Sequence, residues 1–313
     1  EEILWCSTNN SYSDQYKMEK RTNPRDVNSC YGTIGPSQDA VDMFFMANGL
    51  CIDDCDNGYD ETGFSAVENR CYDPDYKEKK TDQNISNMYA NREPRFYASV
   101  VYQGRSWFKK WMNGNPNYIV DFSAGGGNDL SNGDNVKTGY MLGKFKNRTV
   151  NHASGDTQSW KRVSIIYRLA EFYLFYAEAL NEIDPGNPDI IEYIDKVRKR
   201  AGIPGYRTMN DNGIKTGIIG DYDKQFDAIQ HERYVELYCE GQRYFDIRRW
   251  MICGDKGRVG CDQTRFYGMN MKGTKDKAPG DPTSYYTRTK LENRQWTDKL
   301  YLYPIHQNVI ELS

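Results

Sequence analysis

The sequence predicts a mainly α fold, tetratricopeptide-like helical hairpins carrying long irregular loops, and three observations predict it. First, IIYRLAEFYLFYAEALNEI (165–183) sets Leu169, Phe172, Tyr173, Tyr176, Ala177 and Leu180 on one broad apolar stripe at helical spacing. Second, the turn DPGNPD leads directly into another helical run, IIEYIDKVRKRAG. Third, the stretches 51–82, 103–160 and 251–299 are rich in glycine and asparagine and far longer than ordinary connections.

The elements follow in chain order. GPSQDAVDMFFMANG offers Ser37 as an N-cap, Val41, Phe44 and Phe45 as an apolar face, and Gly49 as a stop. After the 165–183 helix, Asn187 caps, Pro188 takes the first helical position, and basic residues before Gly202 suit the negative end of the helix dipole. The product is an antiparallel hairpin, and 221–250 supplies a second helix pair broken at Gly241, where a mid-helix glycine costs about 1 kcal/mol against alanine. In HERYVELYCEGQRYFDIRRW (231–250), Glu232, Glu236 and Glu240 form a carboxylate row along one side. Such a row can perform acid–base or metal chemistry, or it can pair ions. Every acid here has a base within reach, with Arg233–Glu236, Glu240–Arg243, Arg243–Asp246 and Asp246–Arg249 spaced three apart, and a partner on a neighbouring helix is also within reach. Guanidinium neighbours lower a carboxyl pKa where general acid–base catalysis needs it raised, so the row is read as structural.

Composition narrows the function. A net charge of −3, from 41 basic and 44 acidic residues, leaves no electrostatic footprint for nucleic acid. No apolar run approaches the length of a membrane-spanning helix, and EEILWCSTNN has neither the basic start nor the apolar stretch of a signal peptide. Eight cysteines in a loop-rich chain point to disulfides and an oxidising compartment, with Cys253 and Cys261 bracketing a short loop that a disulfide would close. A zinc site on Cys51, Cys55 and Cys71 lacks a nearby fourth ligand, because the nearest histidine in sequence is His152. DDCDNGYDE (53–61) alternates Asp54, Asp56 and Asp60 as loop calcium ligands do, without full EF-hand spacing. Calcium is therefore the one cofactor considered, and none is required. SAGGGNDLSNGDN (123–135) reads as a linker, since its glycines lack the lysine and serine of a phosphate loop.

Seven blocks, collinear along the chain, carry a resemblance. ERYVELYCEGQRYFDIRRW (232–250) resembles the signature of the SusD/RagB family of Bacteroidetes outer-membrane lipoproteins. GPSQDAVDMFFMANG, NREPRFYASVVYQG (91–104), TGYMLGKF (138–145), RLAEFYLFYAEALNE (168–182), VRKRAGIP (197–204) and LYLYPIHQNVIELS (300–313) are similar to further family blocks in family order. His306 and Asn308 depart from the last of these. The resemblance implies the C-terminal portion of one SusD-like domain over 1–313: a loop-rich ligand-side region (1–164), a helical repeat scaffold (165–250) and a C-terminal loop region (251–313). The N-terminal half, the signal peptide and the lipidated cysteine of the family have no counterpart in this stretch; Cys6 follows no apolar segment.

What the resemblance implies for function is a non-enzymatic, surface-exposed protein at the outer membrane, held there by a lipid anchor outside this sequence. It would capture an oligosaccharide and deliver it to a SusC-like TonB-dependent β-barrel transporter. A peptide ligand, or a tetratricopeptide-type scaffold for protein partners, is the alternative. No family motif marks ligand contacts, so candidates come from aromatic residues in the loops, whose rings suit the apolar faces of sugars. They are Tyr12, Tyr16 and Tyr31; Tyr59, Phe64, Tyr72 and Tyr76; and Trp107, Trp111 and Tyr118. A glycosidase would need two carboxylates in one cleft, whereas the conspicuous acids here have basic neighbours and His152, His231 and His306 are scattered.

Overall fold

The computed structural model describes residues 2–7, 12–27, 30–69, 80–107, 118–131, 133–146, 163–257 and 261–302. In chain order, β1 (Ile3–Ser7) and α1 (Tyr12–Thr22) open the fold, followed by α2 (Gln38–Asp42), β2 (Phe64–Asn69) and β3 (Lys80–Ser86). Next come α3 (Pro94–Ser99), β4 (Val100–Val101), β5 (Met141–Leu142) and β6 (Ser164–Arg168). The helical part is α4 (Leu169–Ile183), α5 (Asp189–Ala201), α6 (Tyr206–Asp211), α7 (Tyr222–Glu236) and α8 (Gln242–Arg249), and β7 (Tyr267–Met269) and β8 (Arg288–Lys290) follow. The strands form four separate antiparallel pairs, β1–β6, β2–β3, β4–β5 and β7–β8.

The expected helix boundaries hold with three amendments, the first being that Pro188 is the N-cap of α5, whose first helical residue is Asp189. Ser37 Oγ accepts the Ala40 N–H at 3.4 Å, Asn187 Oδ1 accepts the Asp189 N–H, and Gly202 closes α5 in the left-handed conformation. Gly241 separates α7 from α8 at φ +90°, as the sequence predicts. However, α2 ends at Asp42, well before Gly49. Residues 165–168, read as the start of a helix, instead pair with β1, and the β-branched Ile165 and Ile166 suit a strand.

Two cores result. The smaller is the helical one, with Leu174 and Ala177 of α4, Ile190, Ile191 and Ile194 of α5, and Ala228 and Ile229 of α7. The larger gathers Phe44, Phe45, Tyr89, Phe96, Tyr102 and Tyr140 with Tyr285 and Tyr286. Its rings meet at packing distance, with Tyr89 4.9 Å from Tyr102 and Phe44 5.2 Å from Tyr238. The long stretches are therefore not loops draped on a helical scaffold. Trp107, Phe122, Tyr140, Tyr285 and Tyr286 from these stretches enter a tyrosine-rich core, where the phenols of Tyr89 and Tyr140 meet at 3.0 Å. No helix among the described residues is long and apolar enough to cross a membrane.

Candidate functional site

The motif residues converge on a buried ionic network between the cores. Glu232, Glu236 and Glu240 share one side of the α7 segment, yet their partners come from other elements. Arg95 of α3 donates to Glu232 at 2.6 Å and to Glu236 at 3.0 Å. Arg168 joins Glu236 to Glu240, Arg200 of α5 also pairs with Glu236, and Lys144 reaches Glu240 at 2.7 Å. Burial opposes ionisation of Glu236, but Arg168, Arg95 and Arg200 outweigh it and hold the carboxyl at about 2. Of the four expected pairs along the helix, Asp246–Arg249 is present at 3.0 Å, and Asp246 also accepts from Arg233 Nε and Nη2 across the Gly241 break. For Glu236 and Glu240 the expectation of pairing within the helix is corrected: the row faces inward, where only groups on neighbouring elements can reach it.

Arg198 completes the network. It lies fully buried over Phe45 and Tyr206 and donates to Glu232, to the Pro204 carbonyl and to the Gly49 carbonyl. A β-carbon at Gly49 would stand 2.8 Å from Arg198 Nη2, which accounts for a glycine there. Each carboxylate is matched by guanidinium or ammonium groups, so this constellation ties elements together and offers no free acid–base pair.

A second constellation opens to solvent. The loop 121–131 is pinned to residues 25–26 by Arg25, whose side chain donates to the Gly127 carbonyl at 2.8 Å and to Asp129 at 3.3 Å, while its N–H meets Asn128 Oδ1 at 2.9 Å. The expectation of a linker over 123–135 is thereby corrected. Its glycines permit close approach: a β-carbon at Gly127 would lie 2.2 Å from Asp26 Oδ2. Tyr118 donates its hydroxyl to Asp26 and receives Asn128 Nδ2 at 3.3 Å. Asp121 accepts from Gln103, from Ser123 and from Lys275 at 2.6 Å; burial opposes its charge, and these donors lower its pKa below the usual carboxylate value. The Ser131 hydroxyl and amide, with Gly125 N–H and Arg25, hold Asp129 at about 2. The result is a face of fixed carboxylates, amides and cations beside a half-buried tyrosine and an exposed Ile119.

The aromatic candidates divide. Tyr118 belongs to this face, and Tyr31 is exposed, with Lys20 over its ring at 6.0 Å. Trp107 is only 3% exposed and packs in the larger core, so it is unavailable for stacking in this conformation. Tyr59 donates to Glu61 at 2.7 Å and accepts from Arg288, and Phe64 meets Tyr286 edge-on at 5.3 Å; both pack on the larger core. Tyr12 and Tyr16 sit in α1 with only their backbone described, and Tyr72, Tyr76 and Trp111 lie outside the described residues. Asp26, Asp121, Asn128 and Lys275 escaped the sequence reading; three glycines flanked by Asp, Ser and Asn could have signalled a tight turn.

The calcium set is not brought together. Asp54 pairs with Lys215 at 2.6 Å, Asp60 accepts Thr62 N and Oγ1 at 2.7 Å, and Asp56 occupies the left-handed region at φ +55°. Among the described residues no group of three acids, cysteines or histidines is arranged to hold a metal ion. The disulfide expectation is also corrected. None of the seven described cysteines, Cys253 and Cys261 included, forms a disulfide, and Cys71 lies outside the described residues. Cys253 Sγ instead donates to the Ile247 carbonyl.

Relatives agree with this architecture. SusD-like protein P2 of Formosa agariphila is 38% identical over 82 residues, 26% of this chain and 16% of that protein, and its SusD-like protein P25 is 38% identical over 91 residues, 29% of this chain. A SusD-like protein from Bacteroides fragilis superposes with a TM-score of 0.70 at 26% identity, covering 100% of this chain and 52% of its own. A SusD-like carbohydrate binding protein from the same species superposes at 0.60 and 22% identity, over 88% of this chain and 47% of its own. The chain thus spans about half the length of these solved relatives. The SusD family matches residues 1–313 without interruption. Collinear motifs, the network that joins them and a match along the whole sequence make this chain a member of the SusD family.

Proposed function

We propose that the protein binds oligosaccharides at the cell surface of its bacterium and delivers them to a SusC-like TonB-dependent transporter, without catalysing a reaction on them. The observation that carries the reading is the glycine-loop face. Tyr118, Asp26, Asp121, Asn128 and Lys275 converge there with their polar groups already fixed, the arrangement that discriminates sugar hydroxyls at low ordering cost. The family supports it, because a solved member of the same fold is a carbohydrate binding protein. Glu232, Glu236 and Glu240 support a non-catalytic role, being matched to cations.

Calorimetric titration with a panel of neutral and acidic oligosaccharides tests the reading. One or more should bind, and Tyr118→Ala or Lys275→Ala should weaken that ligand about tenfold or more, equivalent to about 1.4 kcal/mol, while Tyr59→Phe leaves it unchanged. Binding of peptides with no response to any saccharide would replace the ligand class. Saccharide binding untouched by both substitutions would move the site elsewhere.

A further inference from the structure

Away from the glycine loop, the turn after α2 and the loop before α7 meet at a cluster of four reactive groups. Lys215 Nζ donates to Asp54 Oδ2 at 2.6 Å and lies 3.9 Å from Cys51 Sγ. The same Asp54 oxygen accepts the Cys51 N–H at 2.8 Å, so one carboxylate positions both the amine and the residue bearing the thiol. On its other side, Cys51 Sγ is 3.7 Å from His231 Nδ1. His231 Nε2 stands 2.6 Å from the Met43 carbonyl, which can only accept. That nitrogen therefore carries the proton, and Nδ1 presents a lone pair to the thiol. An open cavity of about 450 Å³, lined by Asn48, Leu50, Asp54, Cys55, Ile214 and Lys215, admits small molecules to the amine.

We propose that Cys51 and Lys215 are joined by an oxidatively formed covalent bridge, Sγ–O–Nζ, with molecular oxygen as co-reactant. His231 Nδ1 orients the thiol hydrogen, and that proton is released to water as sulfur is oxidised. One oxygen atom is inserted between sulfur and nitrogen, and the other leaves as water. Thiol, ammonium and O₂ give the bridge, one water and one proton; sulfur and nitrogen each lose two electrons, and O₂ takes up all four. An amine lies beside this thiol, so oxidation is diverted from the disulfide that the cysteine spacing suggests. The bridge would close a long loop between Cys51, at the edge of the larger core, and the segment leading into α7. By restricting the unfolded chain, it would raise the thermal midpoint on the order of 10 °C. The proposal is independent of the glycan reading.

The test compares protein kept under nitrogen with protein equilibrated in air, each digested without reductant and read by peptide mass spectrometry. Air should yield one species joining the Cys51 peptide to the Lys215 peptide, heavier than their sum by one oxygen less two hydrogens. Dithiothreitol should return the separate peptides and lower the thermal midpoint. Cys51→Ser and Lys215→Arg should each abolish the species. Recovery of Cys51 after air only as a free thiol, a sulfinic acid or a disulfide would overturn the proposal in the wild-type protein, whatever the variants do.

Discussion

Two buried residues set how the protein responds to acid. His231 stacks on Phe45 at 4.3 Å, and burial pushes its pKa down to about 4 even though the Met43 carbonyl bond favours the charged form. The unfolded chain then binds a proton that the folded one refuses, so stability present above about pH 6.5 declines as pH falls toward 4. Glu236 acts in a lower window: its folded value of about 2 lies below the ordinary 4.5, so its contribution, on the order of 3 kcal/mol, is present above 4.5 and lost as pH falls through 2. Urea unfolding at stepped pH should show both declines, and His231→Gln should flatten the one between pH 6.5 and 4 while leaving the lower one. At neutral pH, Glu236→Gln leaves three guanidinium groups facing a neutral amide and should cost about 3–5 kcal/mol. The carboxylate row was legible from its spacing of four. Its partners were not, because Arg95, Arg168 and Arg200 reach it only through the tertiary fold.

Helix α4 shows what periodicity can and cannot tell. Its apolar residues do not share one face: Ala170, Leu174 and Ala177 are buried, whereas Phe172, Phe175 and Tyr176 are exposed on the other side, next to the solvent-facing strand β6. The sequence stripe merged the two sets, since apolar residues occur at i+3 and i+4 on both. Leu174→Ala should therefore cost about 2–5 kcal/mol through the cavity it leaves, while Phe172→Ala should cost a small fraction of that in thermal unfolding. Helix ends were readable because caps act locally, as at Ser37, Asn187, Gly202 and Gly241. The four strand pairs were not. β1 meets β6 and β4 meets β5 across long separations, and pairs this short leave little alternation to detect. The glycine loop stayed hidden for the same reason, its conformation being fixed by Arg25 from a distant segment.

At the scale of the whole molecule, the two cores are bound by the elements that run through both. α5 places Ile190 to Val197 in the helical core and Ala201 in the larger one; α7 places Ile229 in the first and Val235 in the second. Where they cross, Arg95 of α3 joins Glu93, Glu232 and Glu236, and it is the arginine that carries the larger core's charge to α7. The two acids on α7 lie almost without exposed side chain, so removing Arg95 weakens compensation for a concentration of buried negative charge at a seam the cores share. Continuous hydrophobic packing through α5 and α7 predicts a single cooperative thermal transition for the intact protein. Arg95→Met keeps the volume of the side chain and loses its charge, so it should loosen the seam without hollowing either core. The expected outcome by scanning calorimetry is a lowered and broadened transition whose van't Hoff enthalpy falls below the calorimetric one, with tryptophan fluorescence and far-UV dichroism no longer coincident. A sharp single transition merely shifted to lower temperature would show that apolar packing alone couples the cores and that the charge network contributes stability without cooperativity.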